Sequence, residues 1–275
     1  MIMKHFMLDA YGVKRNNLND IKYIQNTLNE ITARLKLTPV APPFLLPYYY
    51  GAEPEDIGIS SFVFLKGGHL TIHTFPLLAC YFVDLYDPEG FNETKAEALF
   101  FENWPFDRDK SNVVTVDRSI GREEVVPFDP SEIFGPHILA RLTPKKPVTM
   151  EYIFKYLEQL VADVEMTPII RPYVIFDSNK NPSYLSGITM IAESHISFHY
   201  NLTTGDIMFD IFSCKSFNYE LIKKHLKKSM KDIPSFVVIP RGTRHQYLKE
   251  NLQNKRALSE RMKKYSQSWR RTSFK

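Results

Sequence analysis

Residues 192–199 read Ala-Glu-Ser-His-Ile-Ser-Phe-His. A carboxylate, a hydroxyl and an imidazole stand in a row at Glu193, Ser194 and His195, and a second imidazole follows at His199. The run is otherwise β-like, and a strand that only packs would alternate apolar and polar residues without gathering reactive types. Ser186 upstream and the thiol of Cys214 downstream extend the set. Such residues can perform nucleophilic attack and proton transfer, for which a serine needs a nearby base and an oxyanion partner. Neither a G-x-S-x-G elbow nor an S-x-x-K pair surrounds Ser194. No metal site is expected. His195 and His199 would converge on a helix, whereas a strand spaces them too widely to chelate one ion, and no cysteine or carboxylate pair completes a site.

The segment has a faded copy. "GGHLTIHTF" at 67–75 matches "ESHISFHYN" at 193–201 with an offset of 126 residues. The same offset carries Ser60 onto Ser186, His69 onto His195, His73 onto His199, Asp84 onto Asp210 and Phe91-Asn92 onto Phe217-Asn218. One register held over this span marks an internal duplication. The copies differ where the chemistry lies: Gly67-Gly68 stand for Glu193-Ser194, and Pro88 stands for Cys214.

Each copy supplies elements to position these residues. Ile21, Ile24, Leu28, Ile31 and Leu35 step by three and four, the mark of an amphipathic helix, with Asn17 or Asp20 as its cap. Ile153, Leu157, Leu160 and Val164 repeat the pattern after Thr149. Each unit then reads as strand, long helix, β segments, shorter helix and closing strand, the last at 112–116 and 235–240. The predicted fold is α+β, with two tandem units whose mainly antiparallel sheets face each other as an αββα pseudo-dimer. The expected boundaries are 1–117 for the degenerate unit, 118–136 for a Pro-containing connection, 137–242 for the reactive unit and 243–275 for a tail.

Hydrophobic content of 44% and charged content of 24% are those of an ordinary globular chain. Charges at Lys4 and Asp9 precede any apolar run long enough for a signal, and no stretch has the apolar length to span a bilayer, so the expected location is the cytoplasm. Cys80 and Cys214 are expected as thiols. The net charge of +4 is uneven, because residues 243–275 hold ten Lys/Arg against two Glu. Leu258, Met262, Tyr265 and Trp269 give that tail one apolar helical stripe, and no nucleic-acid motif accompanies its charge. A docked helix is the expectation, and nucleic acid is not an expected partner.

Taken together, Ser186, Glu193-Ser194-His195, His199 and Cys214 resemble the pyruvoyl-dependent S-adenosylmethionine decarboxylases of the short bacterial and archaeal type. That family carries A-E-S-H-x-S-x-H, with a serine eight residues before the processing serine and a cysteine twenty after it, the spacings found here. Asp210 in "FDIFSC" also matches the family's V-D-V-F-T-C. The resemblance implies that Ser194 attacks the Glu193 carbonyl and that the chain cleaves between them. Position 194 then becomes a covalent pyruvoyl group, the enzyme's only cofactor, which takes the substrate amine as a Schiff base. It further implies that His199 and Ser186 assist processing and that Cys214 returns a proton to the substrate α-carbon. The expected partners are a small amino-acid-type substrate and the two cleaved chains held together, with a homodimer as one assembly. Gly68 and Pro88 would leave one active site per chain.

The substrate positions depart from the family. After the second histidine the family has T-W-P-E, whose Glu holds a ribose; here the residues are Tyr200 to Thr203, and the first copy has Thr74-Phe75-Pro76-Leu77. Lys180 stands where the family places an adenine-stacking aromatic, and Tyr48, Tyr49 and Tyr50 offer a replacement face. S-adenosylmethionine is the first expectation. Ornithine or arginine, or a non-catalytic role as regulatory partner of a decarboxylase, are the alternatives.

Overall fold

A computed structural model describes residues 3–49, 57–130, 132–178, 182–192, 194–213 and 217–242. The tail after 242, Glu193, Lys180, Tyr50 and Cys214 therefore lie outside the described residues. The chain runs β1 (Lys4–Tyr11), α1 (Ile21–Arg34), β2 (Phe44–Tyr48), β3 (Gly58–Leu65), β4 (Gly68–Phe75), β5 (Cys80–Asp87), α2 (Glu93–Asn103) and β6 (Asn112–Asp117). It continues with β7 (Glu123–Val125), β8 (Gly135–Pro144), α3 (Met150–Asp163), β9 (Tyr173–Asp177), β10 (Tyr184–Ile191), β11 (Ser194–Asn201), β12 (Ile207–Ser213), α4 (Tyr219–Ser229) and β13 (Met230–Arg241).

The first sheet has the order β2-β3-β4-β5-β1-β6 and the second β7-β13-β8-β12-β11-β10-β9. Every described pairing between these strands is antiparallel except β7 with β13. Strand alternation sends Phe6, Leu8 and Ala10 outward against α1 and α2, where Ile24, Leu28, Ile31, Leu99 and Phe100 complete one core. The second sheet packs in the same way on Ile153, Leu157 and Leu160 of α3 and Ile222 and Leu226 of α4. The helices start on matching caps, with Asp20 and Thr149 accepting from backbone N–H groups in the long pair and Asn92 and Asn218 in the short pair.

The opposite faces meet each other in the αββα order expected. Three apolar clusters cross between the sheets, namely Tyr11, Phe75 and Phe82 with Phe134 and Phe212, Met7 and Val116 with Leu139 and Val237, and Phe62 and Phe64 with Ile188 and Met190. Between them lies a polar centre. The stretch read as a connection does more than connect: β7 extends the second sheet, and the buried Arg118 reaches that centre. A three-residue strand is too short to show a hydrophobic period.

Candidate active site

Six of the chain's eight histidines are buried between the sheets, at positions 5, 69, 73, 137, 195 and 199. They surround two carboxylates, Asp84 on β5 and Asp210 on β12, and they follow the pseudo-two-fold of the duplication. Strand register creates the pairs within each unit. Ser60 opposes His73 across β3 and β4, and Ser186 opposes His199 across β10 and β11. The hydroxyls lie 3.0 and 2.9 Å from the respective Nδ1 atoms.

The other ring nitrogen of each histidine crosses to the opposite unit. His73 Nε2 is 3.0 Å from His195 Nδ1, and His199 Nε2 is 2.9 Å from His69 Nδ1. His195 Nε2 in turn lies 2.9 Å from Asp84 Oδ2 and 3.2 Å from Asp210 Oδ2. His5 bonds Asp84 and Ser197 donates to Asp210. Arg118 Nη1 donates to His5 Nδ1 at 3.2 Å and Arg241 Nη1 to His137 Nδ1 at 2.9 Å. Each guanidinium also spans to the far sheet, Arg118 on the Ala140 and Phe209 carbonyls, Arg241 on the Val83 carbonyl and Asp9.

Electrostatics separate His195, which touches Ser194, from His73, which touches His195. Burial alone would lower His195, but its hydrogen bonds to Asp210 and Asp84 outweigh that and push it up to about 9. Burial, with the neighbouring His195, holds His73 well below the ordinary histidine range, so it is neutral. Burial would raise the two carboxylates, yet the surrounding histidines keep both well below the usual range. His69, Asp84, His195 and Asp210 bring ligand atoms within 4.8 Å of one another, as do His5, Asp84 and His137, and these residue types can hold a metal ion. Neither copy of the sequence shows this convergence by itself, because its donors meet across the two units.

Ser194 opens β11. It is buried, its φ is 157°, a positive value that non-glycine residues rarely adopt, and its Oγ lies 3.3 Å from His195 Nδ1. The residues expected to serve it are placed elsewhere. His199 is five positions along the same strand, about 16 Å away at ~3.3 Å per residue, and Ser186 stays with His199. The strand instead brings the first unit's Ser60–His73 pair to the residue beside Ser194. Thr203 is exposed in the turn beyond the far end of β11, while Pro76 and Leu77 follow His73. A cavity of about 660 Å³ is lined by Arg15, Asn16, Tyr49, Ile57, Pro76 and Leu77. Tyr48 is buried and Tyr49 half-buried.

The mirrored position in the first unit is closed. A Cβ on Gly67 would overlap the Tyr184 ring, and one on Gly68 would overlap the Tyr86 carbonyl oxygen.

Fold and site together describe a two-unit sandwich fused in one chain, built around one buried, backbone-strained serine with acid and base groups from both sheets. The family model for S-adenosylmethionine decarboxylase matches residues 4–119 and 140–237, and the chain belongs to that family of carboxy-lyases. Over 85 residues it is 35% identical to the S-adenosylmethionine decarboxylase proenzyme of Archaeoglobus fulgidus, covering 30% of this chain and 72% of the relative. The crystal structure of the adenosylmethionine decarboxylase from Aquifex aeolicus superimposes with a TM-score of 0.36 at 21% identity, covering 44% of this chain and 93% of that one.

Proposed function

We propose that the chain is a self-processing, pyruvoyl-dependent decarboxylase of S-adenosylmethionine that supplies the aminopropyl donor for spermidine synthesis. The observation that carries this reading is Ser194, a buried serine at φ 157° with its hydroxyl against an imidazole. Backbone strain of this kind costs on the order of 1–3 kcal/mol and raises the ground state next to the bond to be broken. Ser194 Oγ attacks the Glu193 carbonyl carbon, the C–N bond breaks and an ester forms. Loss of the Ser194 α-proton expels the Glu193 carboxylate, and hydrolysis of the remaining dehydroalanine releases ammonia.

Two groups with opposite pKa displacements divide the work. His73, neutral, with Nδ1 turned to Ser60 and Nε2 toward His195, is assigned as the base that takes the serine proton. His195, cationic between two carboxylates, presents Nδ1–H to Ser194 Oγ and to the oxyanion that develops beside it. Ser60 orients His73. These roles pass from Ser186 and His199 to their first-unit counterparts because the facing sheet, and not the same strand, approaches the serine.

The new terminus at 194 fits a fixed carbonyl group, since β11 is paired on both sides, by β10 and β12. When formed, that group supplies the electron sink for loss of CO₂ from an amino-acid substrate. Cys214 is assigned the return of a proton to the α-carbon. The cavity beside Pro76 and Leu77 has the volume of a small-molecule site and is the assigned place for the nucleoside.

The test is intact mass under denaturing conditions beside Ser194→Ala. Chains 1–193 and 194–275, the second lighter by the elements of ammonia, are expected for the wild type alone. A full-length chain after prolonged incubation would overturn the reading and favour a regulatory partner. Turnover of ornithine or arginine instead of S-adenosylmethionine would replace the substrate only.

A further inference from the structure

Two ladders of side chains leave the buried carboxylates in opposite directions, and their residue types are the same. One runs from Asp84 and Asp210 through His195 and His73 to Ser60; the other runs through His69 and His199 to Ser186. The first passes Ser194 and the second belongs to the closed position of Gly68. Their outer links match, at 3.0 and 3.0 Å against 2.9 and 2.9 Å. Their acid ends do not. His195 Nε2 lies 2.9 and 3.2 Å from the Asp84 and Asp210 oxygens, whereas His69 Nε2 lies 3.5 and 4.0 Å from the same atoms. The pseudo-symmetry is broken at the acids, in favour of the ladder that serves the serine.

We propose that Asp84, carried by the unit without a cleavable serine, is a positioning residue for the Ser194 reaction: with Asp210 it fixes the His195 ring, and His195 fixes His73. Asp84 touches no reacting atom. Its Oδ2 holds His195 while its Oδ1 is held by His5, whose ring is set in turn by Arg118. An acceptor anchored on both oxygens leaves the imidazole one orientation, with Nδ1–H aimed between His73 and Ser194. The first unit's contribution is thus an acid as well as a base and a hydroxyl.

The other groups facing this pair are His137 Nε2, 3.4 and 3.6 Å from the two Oδ2 atoms, Ser197 on Asp210, and Arg118, 3.9 Å from Asp210. His69 completes the ring. Asp84 Oδ2 at 2.9 Å and Asp210 Oδ2 at 3.2 Å are the acceptors found at His195 Nε2 among the described residues.

This inference rests on Ser194 being the processed residue, and the experiment separates the two. Full-length wild type, Asp84→Asn, Asp84→Glu and His199→Gln are followed by intact mass over time from pH 5 to 10. Asp84→Asn is expected to slow cleavage by on the order of 10- to 100-fold, the cost typical of losing a partner that orients a functional histidine, and to move the alkaline limb of the rate profile to lower pH. Asp84→Glu is expected to restore part of the rate and the limb, and His199→Gln, on the other ladder, to slow cleavage less than Asp84→Asn. A folded Asp84→Asn chain with the wild-type rate and profile overturns the inference while leaving Ser194 as the processed residue. An uncleaved wild type overturns the underlying reading instead. Should Asp84→Asn fail to fold, nitrogen-15 NMR of the histidine rings in Ser194→Ala decides. An Nε2–H on His195 that is hydrogen-bonded to a carboxylate is expected, and an Nε2 without its proton overturns the proposal.

Discussion

Among single residues, the contrast between Ser194 and Gly68 decides how many sites the chain can have. The sequence already showed that glycine cannot supply a hydroxyl. What it did not show is that the position can no longer accept one. A Cβ at Gly68 overlaps the Tyr86 carbonyl oxygen, and the neighbouring Gly67, at φ 70°, lies against the Tyr184 ring with no room for a side chain. The second-unit tyrosine occupies the space a mirrored serine and its carbonyl would need. Gly68→Ser is therefore expected to lower thermal stability, by about 1–3 kcal/mol if overpacking sets the cost, and to leave cleavage confined to Ser194. Mass analysis checks the second point: an additional cut before residue 68 would show that the closed position had kept its chemistry.

At the level of elements, most of what positions the site was legible. Helical spacing marked α1 and α3, and Asp20 and Thr149 cap them as their residue types allow. The duplication announced facing sheets. Illegible was which unit's Ser–His pair lies toward Ser194, because the sequence lists Ser186 and His199 beside it while an extended strand carries them away. Equally hidden were His5, His137, Arg118 and Arg241, since a polar residue at an inward strand position has no local partner to give it away. Arg118 also fell in a stretch with Pro-rich, connection-like composition. Packing between elements can be tested at Gly187 on β10, where α3 comes so close that a Cβ would overlap Ile153 Cγ2 and press on Leu157 Cδ1 at 3.1 Å. Gly187→Ala is expected to push α3 off the strand that carries Ser186 and to cost about 1–3 kcal/mol in denaturant unfolding. An unchanged midpoint would mean that the helix shifts without loss.

For the whole molecule, the inter-sheet layer both joins the halves and ties their stability to pH. Of the strands downstream of the proposed cut, β13 lies between upstream β7 and β8 and the β12–β11 pair lies between upstream β8 and β10, and Arg241 is bound to Asp9 and to the Val83 carbonyl of the first unit. Chains cut at that point would be held together until the fold is lost. The same layer holds histidines displaced in both directions, and their signs can be worked out. His195 is raised from 6.5 to about 9, so between those values the folded chain keeps a proton that the unfolded chain has released, and stability falls as pH rises. His5, His73, His137 and His199 are lowered by burial, His137 to about 4, so below 6.5 the unfolded chain takes up protons that the folded chain refuses. There stability falls as pH falls, with four groups acting against one. Asp84 and Asp210, both depressed, add to the acid-side loss below their ordinary value of 3.8. Each proton contributes a slope of about 1.4 kcal/mol per pH unit. Thermal midpoints measured from pH 4 to 10 in uncleavable Ser194→Ala are thus expected to peak near pH 6.5, drop steeply on the acid side and decline gently up to pH 9. His195→Gln in that background should flatten the alkaline decline and spare the acid limb. Limbs of equal steepness, or an alkaline decline that persists without His195, would show that the charge of this layer is carried by other groups.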